Sequence, residues 1–294
     1  MVQGNQADRN SDGNRDAQAT GASGRPVYLF CHIPKCAGST VKSHMDASAP
    51  GRAVRAKRRH GFLRDFGGDY TDVQRSGIRP DEVDFIGGHA LSRSVVKAFP
   101  DRPIRPCVLI RDPLSFAVSF YNHRNRQAAD AGHGAIPVEV YIRSLPKNPM
   151  IRVIMTRYLG IGYPTILRYG SADRFRMVDE TLAGFWFVGS WMHASELIGR
   201  LSQELDLPDQ VKIRNAATGD RLYPRDVPEA VARRYLRYNA ADQALFERWG
   251  DVKWSGRPEP VDVRLPSGDQ MSYLANEITR VSMSRAIKIA RPWL

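Results

Sequence analysis

The chain has few cysteines and no long apolar segment, and each absence argues against a class of protein. Only three cysteines occur in 294 residues, Cys31, Cys36 and Cys107, and this sparse, odd number argues against a secreted disulfide scaffold. No group of His and Cys has the spacing of zinc ligands, so we expect no structural metal. Runs of about 18 apolar residues are absent, and the N-terminus lacks the apolar core of a signal peptide. We therefore expect a soluble, cytoplasmic protein.

The chain also has fewer acidic than basic residues. Lys and Arg together number 43, Asp and Glu 31, and the formal net charge is +12. An excess of this size favours anionic partners such as nucleotides, acidic glycans, nucleic acid or membrane surfaces, and does not choose among them. Hydrophobic residues make up 42 % of the chain, which is ordinary for a globular domain with a core.

The order of apolar and polar segments predicts an α/β fold. Short apolar runs typical of buried strands lie at 27–33, 83–90, 106–110 and 185–191, with a short edge strand at 211–215. Helical patterns begin at about Ser39 and recur at 114–127, 137–145, 148–159, 173–183 and 194–207, and twice within 228–249, where Asn239 is a candidate cap. This alternation indicates a central parallel sheet flanked by helices. We expect a disordered N-terminal arm at 1–24, one domain at 25–250 and a basic C-terminal extension at 251–294.

The strongest local signal is the loop PKCAGS, which joins the first strand to the first helix. Ligands of parallel sheets bind beyond the carboxyl ends of the strands, and the amides that open a helix bind phosphate. Gly38 lets the backbone approach an oxygen, Ser39 and Thr40 supply hydroxyl groups, and Lys35 supplies a cation. A Walker A loop places its lysine directly after the last glycine, so no Mg²⁺–triphosphate site is expected here. Taken alone, the segment is also compatible with an ordinary turn that carries a surface lysine.

A second strand that runs into a capped helix ends in an arginine. Arg111 follows the apolar run, Asp112 is a candidate N-cap, and Pro113 suits the first helical position. Ser119 lies roughly two helical turns further on. An arginine and a helix hydroxyl at this place can bind a second phosphate. Two anion sites at the ends of two strands fit a nucleotide with phosphate on both its 5′ and 3′ sides.

Together the two segments resemble an enzyme family. FCHIPKCAGST resembles the 5′-phosphosulfate-binding loop of the carbohydrate sulfotransferases, and LIRDPLSFAVSFYNH resembles their 3′-phosphate-binding segment. The likeness is closest to the heparan sulfate 2-O-sulfotransferases and related bacterial enzymes. With weaker matches at FVGSW, KIRN and NAADQALFERW it covers roughly residues 26–250. It implies a P-loop-like sulfotransferase fold and transfer of a sulfonate group from PAPS (3′-phosphoadenosine 5′-phosphosulfate) to an acceptor hydroxyl, with PAP (3′-phosphoadenosine 5′-phosphate) as the product.

The resemblance also implies roles for single residues. The positions that match the 5′-phosphosulfate loop are Lys35, Ala37, Gly38, Ser39 and Thr40. Arg111 and Ser119 match the 3′-phosphate site, and Lys35 would in addition stabilise the leaving group. Phe116 stands where the family often has Arg, and Met192 where Glu is common, so one contact to the donor is missing or comes from another basic residue.

Sulfonate transfer also needs a base for the acceptor hydroxyl, and the candidate is His89. It follows a strand and two glycines (IGGHA), which predicts a position at the ligand-binding edge of the sheet. This place also resembles that of the catalytic histidine in the 2-O-sulfotransferases. A histidine that is neutral near pH 7 can accept the proton. The alternative is a structural histidine bonded to a backbone carbonyl.

Two other classes of function stay open on the sequence alone. One is a nucleotide kinase, although neither a Walker A lysine nor an aspartate for Mg²⁺ is present in convincing form. The other is a non-enzymatic module that binds a polyanion, which the charge alone supports. The basic segment 52–64 is a candidate for binding an anionic acceptor, a glycan or glycolipid, and is also compatible with a solvated basic face. The C-terminal segment is a candidate for contacting a membrane surface, although a plain surface helix is the favoured interpretation. We expect no nucleic-acid partner.

Overall fold

The computed structural model of the protein describes residues 24–56, 79–208 and 221–251. Several predictions lie outside these ranges. They are the N-terminal arm up to residue 23, the part of the basic segment from 57 to 64, the edge strand at 211–215 with Asn215, and the C-terminal extension beyond residue 251.

Five parallel strands form one sheet in the described part of the chain. They are β1 (Val27–Cys31), β2 (Ala53–Arg55), β3 (Phe85–Gly88), β4 (Ile104–Ile110) and β5 (Phe187–Ser190), in the order β2-β3-β1-β4-β5. All four pairs of neighbouring strands are parallel. The predicted central parallel sheet is therefore confirmed.

Helices cover both faces of the sheet. The α-helices are α1 (Gly38–Ser48), α2 (Pro113–Asp130), α3 (Val138–Arg143), α4 (Pro149–Val153), α5 (Tyr163–Ile166), α6 (Ser171–Leu182), α7 (Ala194–Leu205), α8 (Glu229–Tyr238) and α9 (Ala240–Trp249). Short 3₁₀ helices lie at Pro80–Glu82, Arg93–Ala98, Trp191–His193 and Pro224–Asp226, and a π-helical turn at Ile154–Tyr158. Within the described ranges, none of these helices has the length and apolar character needed to cross a membrane.

The central strand β1 is buried along its whole length because both faces of the sheet are covered. Tyr28 and Phe30 belong to a large apolar cluster that includes Met45 of α1. Their neighbours Val27 and Leu29 belong to a second cluster, on the side of the Arg93–Ala98 helix. Alternate residues of one strand thus enter two different cores, as the two-residue period of a strand requires.

The chain reverses its direction of winding at the centre of the sheet. From β1 it continues through α1 to β2 at one edge, and from β4 it continues through helices to β5 at the other edge. Since β1 and β4 are neighbours, their following segments diverge and leave a crevice beyond their carboxyl ends. The predicted phosphate loop follows β1 and Arg111 follows β4, so both lie at this crevice.

Strand β2 was not predicted, because its three residues lie in the segment interpreted as a basic cluster. The described arginines of that segment are paired with carboxylates. Arg52 Nε lies 2.5 Å from Oδ2 of the fully buried Asp84, and Arg55 forms an ion pair with Asp46. The segment that follows β2 also explains why position 88, at the end of β3, is a glycine. A Cβ at Gly88 would lie 2.2 Å from the Ala56 carbonyl oxygen.

Two predicted caps have different outcomes. The Asp112 side chain accepts a hydrogen bond of 2.8 Å from the Ser115 amide and caps α2, with Pro113 in the first turn, as predicted. Asn239 occupies the N-cap position of α9, as predicted, but its side chain makes no capping hydrogen bond. Its Oδ1 accepts from the amide of Asn148 at 2.7 Å and its Nδ2 donates to the carbonyl of Tyr235 at 2.8 Å, so a tertiary contact occupies the side chain.

Candidate functional site

The loop between β1 and α1 contains two non-glycine residues in the left-handed region. Lys35 has φ 66° and Ala37 has φ 56°. Such a conformation costs of order 1–3 kcal/mol per residue and is retained where the shape of a segment is needed. Ala37 is the N-cap of α1 and no side chain caps this end. Because the first amides of a helix have no partner within the helix, those of Gly38 and Ser39 can bind an external anion.

The hydroxyl-bearing residues of the loop differ in exposure. Ser39 is exposed, whereas Thr40 is buried and its amide bonds to the Ala37 carbonyl at 2.9 Å. Ser39 is therefore the more accessible hydroxyl of the two. The structure leaves the predicted role of either hydroxyl a prediction.

Gly38 is required by a contact that the sequence did not indicate. A Cβ at this position would lie 1.9 Å from Cδ2 of His32, far inside van der Waals contact. The His32 ring thus packs directly on the backbone at the start of α1. Gly38 permits this approach in addition to any contact with a ligand oxygen.

Arg111 is fixed in the crevice by contacts on two sides. Its Nη1 donates a hydrogen bond of 2.9 Å to the Lys35 carbonyl, and its guanidinium carbon lies 4.2 Å from the ring centre of Trp191. Its Nε is buried and has no hydrogen-bond partner in the part of the chain that is described. Burial lowers the pKa of Arg111. A desolvated guanidinium whose hydrogen bond goes to a neutral backbone oxygen keeps its charge for an anion.

Lys35 lies in a field of positive charge. Its pKa is lowered first by burial and then by the charges of Arg126 and Arg111. The pKa of His123 is likewise lowered by burial and by the charge of Lys35. Cations held this close repel each other, and an anion bound among them would relieve the repulsion.

One face of α2 carries Arg126 and His123, the two residues whose electrostatic interaction with Lys35 is described above, and it also carries Ser119. Ser119, His123 and Arg126 are spaced i, i+4 and i+7, which places them on one side of a helix. Ser119 is half-buried at the end of this row nearer to Arg111. The structure therefore brings Lys35, Arg111 and the helix that carries Ser119 together at one crevice.

Phe116 stands where the resembling family often has Arg. It is 3 % exposed and packs against Phe120, so it offers no cation to the crevice.

The sequence interpretation missed several other residues of this crevice. Arg126 could have been found from its helical spacing to Ser119. Arg221, whose charge lowers the pKa of Arg111, and Trp191 come from distant segments and carried no local signal.

His89 follows the carboxyl end of β3 and contacts His32, which lies just before the loop PKCAGS. Its Nδ1 lies 3.0 Å from the carbonyl oxygen of His32. A carbonyl oxygen only accepts, so Nδ1 carries the proton and Nε2 of the neutral ring presents its lone pair. Although His89 reaches the surface, burial of part of the ring lowers its pKa, and the charges of Lys42 and Arg157 act in the same direction. The bond to a backbone carbonyl is the contact expected of a structural histidine, and it also leaves the lone pair of the neutral ring on Nε2.

Comparisons with protein-family models, curated proteins and solved structures return no match to this chain. In the ranges 24–56, 79–208 and 221–251, no group of three or more His, Cys, Asp or Glu side chains could hold a metal ion. The three cysteines are free and buried, and burial raises the pKa of each thiol.

Proposed function

We propose that the protein is a sulfotransferase that uses PAPS as donor and that its sheet is the core of a P-loop-like sulfotransferase fold. The observation that carries the proposal is the contact between Arg111 and Lys35. Their segments resemble the two donor-binding motifs of the carbohydrate sulfotransferases, and a 2.9 Å bond joins them at one crevice. A single nucleotide with a phosphate group at each side can then contact both cations.

The residues at the crevice fit such a nucleotide. The amides of Gly38 and Ser39, the Ser39 hydroxyl and the Lys35 ammonium group would bind the 5′-phosphosulfate. Arg111 and Ser119 would bind the 3′-phosphate, where a planar guanidinium can make two parallel hydrogen bonds. The charge of Arg126 lowers the pKa of Lys35, and the charge of Arg221 lowers the pKa of Arg111. These two arginines would supply the positive charge that Phe116 cannot.

PAPS supplies the sulfonate group: the bond from sulfur to the bridging phosphate oxygen breaks as a bond from sulfur to the acceptor oxygen forms. Nε2 of His89 takes the proton of the acceptor hydroxyl, since Nδ1 is already committed to the His32 carbonyl. Lys35 stabilises the negative charge that develops on the departing phosphate oxygen. Fixed cations serve this purpose because a transferring sulfonate carries less charge than a phosphoryl group.

The acceptor in this proposal is a hydroxyl-bearing carbohydrate, either a glycan or a glycolipid. The resemblance to carbohydrate sulfotransferases supports a sugar hydroxyl. The positive charges of Lys42 and Arg157 act on His89 and favour an acceptor that carries negative charge near the reacting hydroxyl.

A transfer assay tests the proposal directly. The purified chain is incubated with ³⁵S-labelled PAPS and with glycan and lipid fractions, and the label is followed into each fraction. Calorimetry with PAP in the presence of EDTA measures binding of the nucleotide without a metal. Label in a sugar-containing fraction together with PAP binding supports the proposal. Mg²⁺-dependent ATP hydrolysis without PAP binding would instead identify a phosphotransferase, and salt-sensitive glycan binding without transfer a binding module.

A further inference from the structure

His32 occupies the centre of a row of packed groups between the phosphate loop and His89. Its ring stacks on the His89 ring with the centroids 3.8 Å apart and the planes at 27°. On another side it stacks on Phe30, with centroids 5.7 Å apart. An edge of the same ring packs against Gly38, where no Cβ would fit. His32 is buried, with 3 % of its surface exposed.

The backbone of His32 also contacts His89, since the Nδ1 proton of His89 is donated to the His32 carbonyl. One residue therefore sets two properties of His89. The stacked ring fixes the plane of the imidazole, and the carbonyl fixes which nitrogen carries the proton. Together these contacts leave Nε2 as the atom that can accept a proton.

We propose that His32 is a positioning residue that orients His89 and links it to the phosphate loop through Gly38. The proposal rests on the proposed function for its meaning in catalysis, because His89 is the base of that reaction. An anion bound to the amides at the start of α1 fixes the Gly38 backbone, and Gly38 is the surface on which the His32 ring rests. Loading of the loop and orientation of the base thus share one side chain.

The chemical state of His32 agrees with this role. Burial, together with the charges of His89 and Lys42, lowers its pKa to about 2, so the ring stays neutral when its neighbour takes up a proton. A second permanent cation in the stack would oppose that proton. The Nδ1 atom of His32 is buried without a hydrogen-bond partner among the described residues, which lowers stability.

The groups that act on His89 come from three elements. They are His32 at the end of β1, Lys42 on α1 and Arg157 in the π-helical turn. Lys42 and Arg157 are cationic and lower the pKa of His89, and the bond to the His32 carbonyl raises it. Replacing the His32 ring exposes His89 to water and leaves the two cations in place, so the pKa of His89 moves upward, toward 6.5.

Nuclear magnetic resonance of ¹⁵N-histidine-labelled protein tests the positioning without any enzymatic assay. In the wild-type protein we expect the neutral His89 ring to carry its proton on Nδ1; a ring protonated on Nε2 overturns the proposal. In His32→Ala the backbone carbonyl remains, but the stacked ring that holds the imidazole plane against it is lost. The Nδ1–H bond is then no longer held, so both tautomers are populated, and the loss of burial raises the pKa of His89. In His32→Phe, which keeps an aromatic face, pKa and tautomer stay close to wild type. His133→Ala, at an exposed position, serves as the control, and its His89 signal should not move.

Two outcomes of this experiment contradict the proposal. One is an unchanged pKa and tautomer of His89 in His32→Ala. The other is a raised pKa or a mixed tautomer of His89 in His32→Phe, which keeps an aromatic ring. This second outcome also decides the case if His32→Ala does not fold. These measurements do not depend on PAPS, so an inactive wild-type protein would remove the proposed function and leave the positioning result intact.

Kinetics then separate positioning from a merely structural role. With a working transfer assay, His32→Ala should lower kcat at least about 10-fold and move the acidic limb of the pH profile upward, with PAP affinity changed less than about 3-fold. His32→Phe should restore most of kcat. A fall in PAP affinity that matches the fall in kcat, with an unshifted pH profile, would assign His32 to the stability of the loop instead.

Discussion

Nη1 of Arg111 donates a hydrogen bond of 2.9 Å to the carbonyl oxygen of Lys35, a residue 76 positions earlier in the chain. The bond joins the segments that follow two neighbouring strands, β1 and β4. Because a backbone oxygen is the acceptor, the positive charge of Arg111 is not neutralised by the contact. Two cations are thus held near each other with their charges available to a ligand. Burial lowers the pKa of Lys35, and the charges of Arg126 and Arg111 lower it further.

Replacement of Arg111 should weaken binding of PAP. Arg111→Ala removes the guanidinium and its stack on Trp191, and we expect a loss of affinity of about 10- to 100-fold by calorimetry. Arg111→Lys should restore little, since an ammonium group lacks the planar fork and the stacking face. Arg124→Ala, an equal loss of charge at an exposed position of α2, is the matched control. PAP affinity in Arg111→Ala equal to that of the control would remove Arg111 from the donor site.

Replacement of Lys35 should impair the chemical step more than nucleotide binding. Lys35→Ala should lower kcat by at least about two orders of magnitude, the range for losing one donor that stabilises charge in a transition state. Affinity for PAP should fall less, because the amides of α1 remain. Single-turnover transfer and PAP calorimetry measure the two effects separately. Lys97→Ala, an exposed lysine outside the crevice, should behave as wild type. Equal losses in both measurements would restrict Lys35 to binding.

Loss of the His89 ring should abolish transfer while PAP still binds. The ring has no role in holding the donor in this mechanism, so His89→Ala should retain PAP affinity within about 3-fold, and transfer should fall by about two to four orders of magnitude. The exposed His133→Ala is the control for loss of a histidine. Near-normal transfer by His89→Ala would show that another group, or water, accepts the acceptor's proton.

The transfer rate should follow a bell-shaped pH profile. The base form of His89 is needed, and its pKa is lowered from 6.5, so the rate should rise with pH through a midpoint below 6.5. The protonated form of Lys35 is needed, and its pKa is lowered from 10.5, so the rate should fall again at a midpoint below 10.5. Measurements of kcat/KM against pH locate both limbs. In Lys35→Arg the alkaline limb should move to higher pH, because a guanidinium does not deprotonate in this range; an unmoved limb would assign it to another group.

Local patterns predicted the part of the fold that contains the segments following β1 and β4. The change from an apolar strand to a loop and a helix gave β1 and α1, and the Asp–Pro pair gave the start of α2. Neither the three-residue β2 nor the stack of Trp191 on Arg111 could be read in the same way. A strand that short has no measurable period, and its hydrogen bonds go to β3, about 30 residues away.

The site residues that were missed depend on contacts between distant segments. Nothing local in the sequence shows that the His32 ring lies between Gly38 and His89. Asparagine is a residue type that often caps helices. The side-chain oxygen of Asn239 instead accepts a hydrogen bond from the amide of Asn148, which is distant in sequence. Arg126 is different, since its position on the Ser119 face of α2 follows from helical spacing alone.

Asp242 of α9 connects the end of the domain to the start of α4. Its two carboxylate oxygens accept hydrogen bonds from the amides of Ile151 and Met150, each at 2.9 Å. Its own amide donates to Oδ1 of Asn148, a residue with φ 46°. The carboxyl group is fully buried, so Asp242→Ala would leave two buried amides without acceptors. We expect a loss of about 1–3 kcal/mol for each, measured by urea unfolding.

The same carboxyl group should make stability depend on pH. Burial raises the pKa of Asp242 from 3.8 to about 7, although its two backbone hydrogen bonds act in the opposite direction. A raised pKa means that the folded state holds the proton more tightly than the unfolded chain. The stabilising contribution is therefore complete below about pH 4 and is lost as the pH rises through about 7. Asp242→Asn cannot titrate, so its unfolding free energy should change less than that of wild type between about pH 5 and pH 8. If the difference between the two proteins is the same at both values, the hydrogen bonds prevail over burial and Asp242 is ionised throughout.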